Sequence, residues 1–211
     1  MLNLTRTLGA FALFSQLSLA PAAIAQTVPQ YDRAQLPVGA AYSWQTSEGF
    51  SKAENLEFDG EVYRFKITDL ASDGSQTESM YGTNQQGRLV WFSVNEYTES
   101  YQPHDCSFLE GRCESQLFAN GSPIGHSITN AYYQDGIWFH SVVTTLTDQA
   151  PVSTQVCGIH DQDSIFQALY VKYSHADSPY WMRITSGPNA ARSHEMLAQV
   201  TEACQQVTPI S

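Results

Sequence analysis

One dipeptide constrains this chain more than any other: Asp135-Gly136, set between two β-rich runs within Ile124–Leu146. Asp-Gly accepts the left-handed backbone that a two-residue hairpin turn demands, and that turn matches the twist of paired strands. Placing Gln134 opposite Ile137 puts position 140 opposite Ala131 and position 126 opposite Thr145. His126 and His140 then point to opposite faces, which rules them out as ligands of one metal. Ile128, Tyr132, Ile137, Phe139 and Val143 line one face of the hairpin; Tyr133, Trp138, His140 and Val142 line the other. A strand pair with one wet face alternates apolar and polar, so two apolar faces call for two covers. The first face is expected to meet the core. For Tyr133, Trp138 and His140 the expected cover is the C-terminal helix, with a bound apolar or aromatic ligand or a partner protein as alternatives. Trp91, Trp181 and Tyr170 would join that surface if their strands lie beside it.

A second hairpin is expected in Leu56–Phe65, LEFDGEVYRF, where an Asp59-Gly60 turn would pair Phe58 with Glu61, Leu56 with Tyr63 and Glu54 with Phe65. Leu56, Phe58, Tyr63 and Phe65 would share its core face. Further strands are read at 77–83, 88–94, 96–101, 114–119, 152–159, 165–173 and 180–185, separated by Gly, Asn, Asp, Ser and Pro. Leu89-Val90-Trp91-Phe92 is apolar on both faces and is expected to be covered on both. After Pro188, Met196, Leu197, Val200, Ala203, Cys204 and Val207 recur at helical spacing, with Asn189 or Ser193 as the cap. The pattern predicts a mainly β fold of about ten strands: an antiparallel meander curled into a sandwich, half-barrel or barrel, with one C-terminal α-helix packed on it.

The N-terminus carries Arg6, an apolar run Leu8–Leu19 and the small-x-small triplet Ala23-Ile24-Ala25. This reads as a secretory signal peptide over 1–25, too short and too interrupted for a membrane span. An extended lead-in over 26–37 and a single β-rich domain over 38–211, ending in the helix, would follow. Loss of Arg6 from 10 basic residues leaves 9 against 21 acidic ones, a formal charge of 9 − 21 = −12. That balance disfavours nucleic acid and anionic lipid as partners. Eight acidic residues fall between Glu48 and Glu78, read as a solvated face discouraging edge-to-edge association in preference to a cation site.

Four cysteines in a chain with an export signal point to disulfides rather than zinc. Three pairings are possible; a local Cys106–Cys113 bridge would leave Cys157 with Cys204, tying the C-terminal segment to the sheet. His104-Asp105-Cys106 offers base, acid and thiol in succession, but neighbours on an extended chain point apart, and a disulfide is the expected fate of Cys106. His160-Asp161-Gln162-Asp163 is read as a loop, since no second cluster completes a metal site. No serine elbow, H-E-x-x-H motif or phosphate-cradling glycine loop is present, and no metal or cofactor is expected. The leading expectation is a periplasmic or secreted, non-catalytic protein binding an apolar or aromatic small molecule around Tyr133, Trp138 and His140. The alternatives are a cell-envelope structural or interaction domain contacting an envelope protein, and, ranked last, a hydrolase with dispersed catalytic residues.

Overall fold

A computed structural model describes residues 37–85, 89–102, 111–161 and 165–207. Twelve strands form one up-and-down antiparallel barrel: β1 (Ala41–Thr46), β2 (Gly49–Phe58), β3 (Val62–Ala71), β4 (Gln76–Asn84), β5 (Leu89–Val94), β6 (Tyr97–Gln102), β7 (Gly111–Ala119), β8 (Ser122–Gln134), β9 (Ile137–Leu146), β10 (Val152–His160), β11 (Phe166–Tyr173) and β12 (Tyr180–Ile184). Each pairs with its neighbour in sequence, and β12 returns to β1 through Trp44 opposite Ile184 and Thr46 opposite Met182. Of the three expected closures, the barrel is the one adopted.

Period-two patterning sorts the wall. On β3, Tyr63, Phe65, Ile67 and Asp69 point inward, while Arg64 and Lys66 point outward to ion pairs with Glu57 at 2.6 Å and Glu78 at 2.7 Å. A membrane-spanning barrel carries an apolar band outside; here the lysines, arginines and glutamates of β2, β3 and β4 are outside, while Tyr63, Phe65 and Tyr81 are inside and Phe50 is exposed on the outer wall. No helix among the described residues is long and apolar enough to cross a membrane.

The central hairpin has the register its turn predicts, with Gln134 opposite Ile137, Ala131 opposite His140 and His126 opposite Thr145. Asp135 and Gly136 take φ of 52° and 78°, the left-handed pair of a two-residue turn. The Asp59-Gly60 hairpin differs from expectation. Its turn is two residues longer, because the Asp59 carboxylate accepts the backbone N–H groups of both Glu61 and Val62, at 3.0 and 2.8 Å. Phe58 therefore pairs with Tyr63, on which it stacks at 4.2 Å, and a bulge between Asn55 and Glu57 sets Asn55, rather than Leu56, opposite Phe65. Leu56 is left exposed and Asn55 is buried.

The helix, α1 (Ser193–Gln206), follows a short 3-10 turn at Ala190–Arg192 and lies on the outer face of β10, β11 and β12. Asn189 does not cap it by side chain; its amide instead donates to the Gln167 side chain at 3.1 Å. Ser193 is already helical, its hydroxyl donating to the Ala190 carbonyl at 2.8 Å. Met196, Leu197, Val200, Ala203, Cys204 and Val207 all pack inward from the helix, as their spacing predicts. Cys204 is bonded to Cys157 of β10, giving the long-range disulfide expected. Cys106 of the expected local bridge, with His104 and Asp105, lies outside the described residues.

Candidate functional site

Twelve strands make a barrel wider than its own side chains fill, whereas eight strands leave a lumen that side chains can close. Tyr63 and Phe65 take up part of the extra space, with Tyr81 stacked on Phe65 at 4.8 Å. Beside them the lumen holds a cavity of about 720 Å³, walled by Trp44, Trp138, Phe166, Leu169 and Met182 among others.

β9 supplies the most distinctive part of that wall. Trp138 and His140 face the lumen; Ile137 and Phe139 face outward. The helix therefore covers the opposite face from the one expected. Phe139 and Ile137 pack with Val200, Cys204 and the Cys157 bridge, and Trp138 and His140 are left to the cavity. Tyr170 and Trp181, which would join the Trp138 surface only if their strands placed them there, lie under the helix instead. Trp91 lies outside the wall as well, its indole over Gly82, where any Cβ would fall 2.3 Å from the ring nitrogen. The double-sided character of β9 thus has two causes, a lumen on one side and a helix on the other.

Rings on this wall touch in series. Trp138 stacks on His140 at 4.7 Å and meets His160 edge-on at 5.2 Å; His160 in turn lies 4.0 Å from Phe166. Tyr133, on the same face as Trp138, places its hydroxyl 3.3 Å from Nδ1 of His160. Burial is nearly complete for His140, and the loss of water pushes its pKa down to about 4, so the imidazole is neutral at pH 7. Two further choices of residue shape the space. Gly158, opposite Trp138, lets Phe166 and Leu169 close over the backbone, and the Trp44 indole N–H donates to the Phe166 carbonyl at 2.7 Å, pinning the start of β11 across the barrel end.

Carboxylates enter the lumen as well. Asp69 borders the cavity, and Glu99 on β6 shares the inward face of Phe92. Glu99 accepts hydrogen bonds from Tyr101 at 2.5 Å and Tyr97 at 3.1 Å; burial first and that bond second hold the Tyr101 phenol far above its ordinary pKa.

The residues singled out by sequence separate as follows. Tyr133, Trp138 and His140 share one inward face, joined by His160. His126 is exposed on the outer wall, as the register requires. Asp161 is engaged in holding its loop, accepting from the Ile165 N–H and the Gln167 amide, both at 2.9 Å; Gln162 and Asp163 lie outside the described residues. Trp44, Phe166, Met182 and Asp69 were missed as cavity residues, since each belongs to a strand whose lumen face shows only once the barrel closes. Comparison with protein-family models, curated proteins and solved structures finds no match to this chain.

Proposed function

We propose that this protein is a non-catalytic binding protein that holds an apolar or aromatic small molecule inside its barrel. The observation that carries this is the cavity beside Trp138 and His140. Its volume lies within the roughly 300–1,000 Å³ range of small-molecule sites, and its wall is chiefly apolar and aromatic with a few polar groups to orient a guest. His140, neutral at pH 7, lines the cavity without adding a charge. The Met1–Ala25 pattern, read as a signal peptide, and the Cys157–Cys204 bridge support an oxidising compartment outside the cytoplasm, with 38–211 as the working domain.

Organic extraction of protein purified from its native compartment, followed by mass spectrometry, should release a small molecule in stoichiometric amount. Tryptophan fluorescence should respond to that compound, because Trp44 and Trp138 both line the cavity. A blank extract, together with a silent screen of acyl lipids and aromatic metabolites, would remove the reading.

A further inference from the structure

In an up-and-down barrel the turns divide between two ends, and β1–β2, β3–β4, β5–β6, β7–β8, β9–β10 and β11–β12 all turn at the same one. Every residue of these six turns is described. They contain Glu48, Asp73, Glu96, Asp148 and Asp177, and neither a lysine nor an arginine. Just inside that rim, Asp69 borders the cavity two residues before β3 ends, and Glu99 faces inward two residues after β6 begins.

The strand cations are distributed the other way. Lys52, Arg64, Lys66, Arg112, Lys172 and Arg183 all alternate with inward-facing neighbours and so point away from the lumen. No lysine or arginine among the described residues lines the cavity. Tyrosines accompany the carboxylates at this end. Tyr173 and Tyr180 line the cavity there, and the Tyr180 phenol is pushed up to about 12, by burial first and then by the charges of Asp69 and Glu48. Tyr173 is raised by burial and by Glu48.

We infer that the guest is an organic cation: an apolar or aromatic body carried in the lumen, with a protonated amine or quaternary nitrogen held at the acidic end by Asp69 against the Tyr173 and Tyr180 rings. This deepens the reading given above and rests on it. A cation gains there from the carboxylate, from the ring faces and from a rim that raises its local concentration. A carboxylate ligand such as a fatty acid would meet Asp69 with no lysine or arginine in the described wall to offset it.

The test uses three probes of one shape: 1-naphthylmethylamine, protonated at pH 7, neutral 1-naphthylmethanol and anionic 1-naphthoate. Their affinities for the purified protein are measured by calorimetry and tryptophan quenching in low and high salt. The amine should bind roughly tenfold or more tightly than the alcohol, with the naphthoate weakest, and salt should narrow the gap. Asp69→Asn should bring amine and alcohol affinities together, with circular dichroism verifying that the variant is folded. Glu48→Gln should lower amine affinity by a smaller factor. Equal binding of amine and alcohol, preference for the naphthoate, or an Asp69→Asn variant that keeps the amine preference would overturn the inference and leave the cavity as a neutral or anion site. Failure of all three probes to bind would take the cavity reading down with it.

Discussion

His140 is enclosed by Trp138, Val156 and the rest of the barrel wall, and with its pKa near 4 it folds without a proton. Above pH 6.5 the imidazole is neutral in both folded and unfolded chains, so it adds no pH dependence. As pH falls from 6.5 toward 4 the unfolded chain takes up a proton that the folded one refuses, and stability is lost, by roughly 3 kcal/mol over the interval. Below about 4 the folded imidazole titrates too and the loss levels off. Urea midpoints measured from pH 7 to pH 4 should fall accordingly, and His140→Gln should flatten that part of the profile; an unchanged slope would mean His140 is not the group responsible. Gly158 makes a second residue-scale case. Alanine there would set its methyl 2.7 Å from Cε1 of Phe166 and 3.2 Å from Cδ1 of Leu169, so Gly158→Ala should cost about 1–3 kcal/mol in denaturant unfolding. Sequence alone marks Trp138 and His140 as needing a cover, because alternation reveals two apolar faces. It cannot assign the helix to one and the lumen to the other, since both covers are built from residues far along the chain.

At the scale of elements, what can be read depends on how local the determinant is. The β8–β9 register follows from Asp135-Gly136 alone, and the helical stripe from Met196 to Val207 from spacing alone. The β2–β3 hairpin has the same dipeptide and a different outcome, because the Asp59 carboxylate competes for two backbone donors and lengthens the turn. β1 escaped notice: AYSWQT has only Tyr42, Trp44 and Thr46 to alternate, and a hairpin turn, Ser47-Glu48, without Gly or Asn. The Cys157–Cys204 bridge fastens α1 across a separation of 47 residues, worth roughly 4 kcal/mol in the chain-entropy model. The Cys157→Ala/Cys204→Ala pair should lose a few kcal/mol to thermal or urea unfolding. Amide exchange in Ser193–Gln206 should quicken before exchange in the strands; a helix that stays as protected as β10 would show that packing, not the bridge, holds it.

For the whole molecule, closure changes the meaning of its surface charge. The acidic residues from Glu48 to Glu78 were expected to guard an exposed edge, but a closed barrel has no edge strand to guard. Part of that charge forms cross-strand ion pairs on the outer wall; Glu48, Asp69 and Asp73 gather at one end of the barrel. Closure also makes the cavity separable from stability. Val156→Trp projects an indole into open space rather than into packed core, so it should abolish binding of any lumen guest while shifting the unfolding free energy by less than about 1.5 kcal/mol. A variant that still binds would place the guest elsewhere.

The seam where β12 meets β1 joins residues about as far apart as the described chain allows: Ser43 accepts from the Thr185 N–H, and Gln45 accepts from Arg183. Until Ile184 has been synthesised, the growing meander presents two unpaired borders and a face of tryptophan and tyrosine to whatever surrounds it. Completion therefore has to wait for the last strand, and a ribosome still holding that strand holds the whole barrel open. The same adjacency of first and last strands makes the order of the strands cyclic, so a chain re-cut at the Thr147–Pro151 turn, with its old ends joined by a linker long enough to pass the helix, should rebuild the same wall from a different starting point.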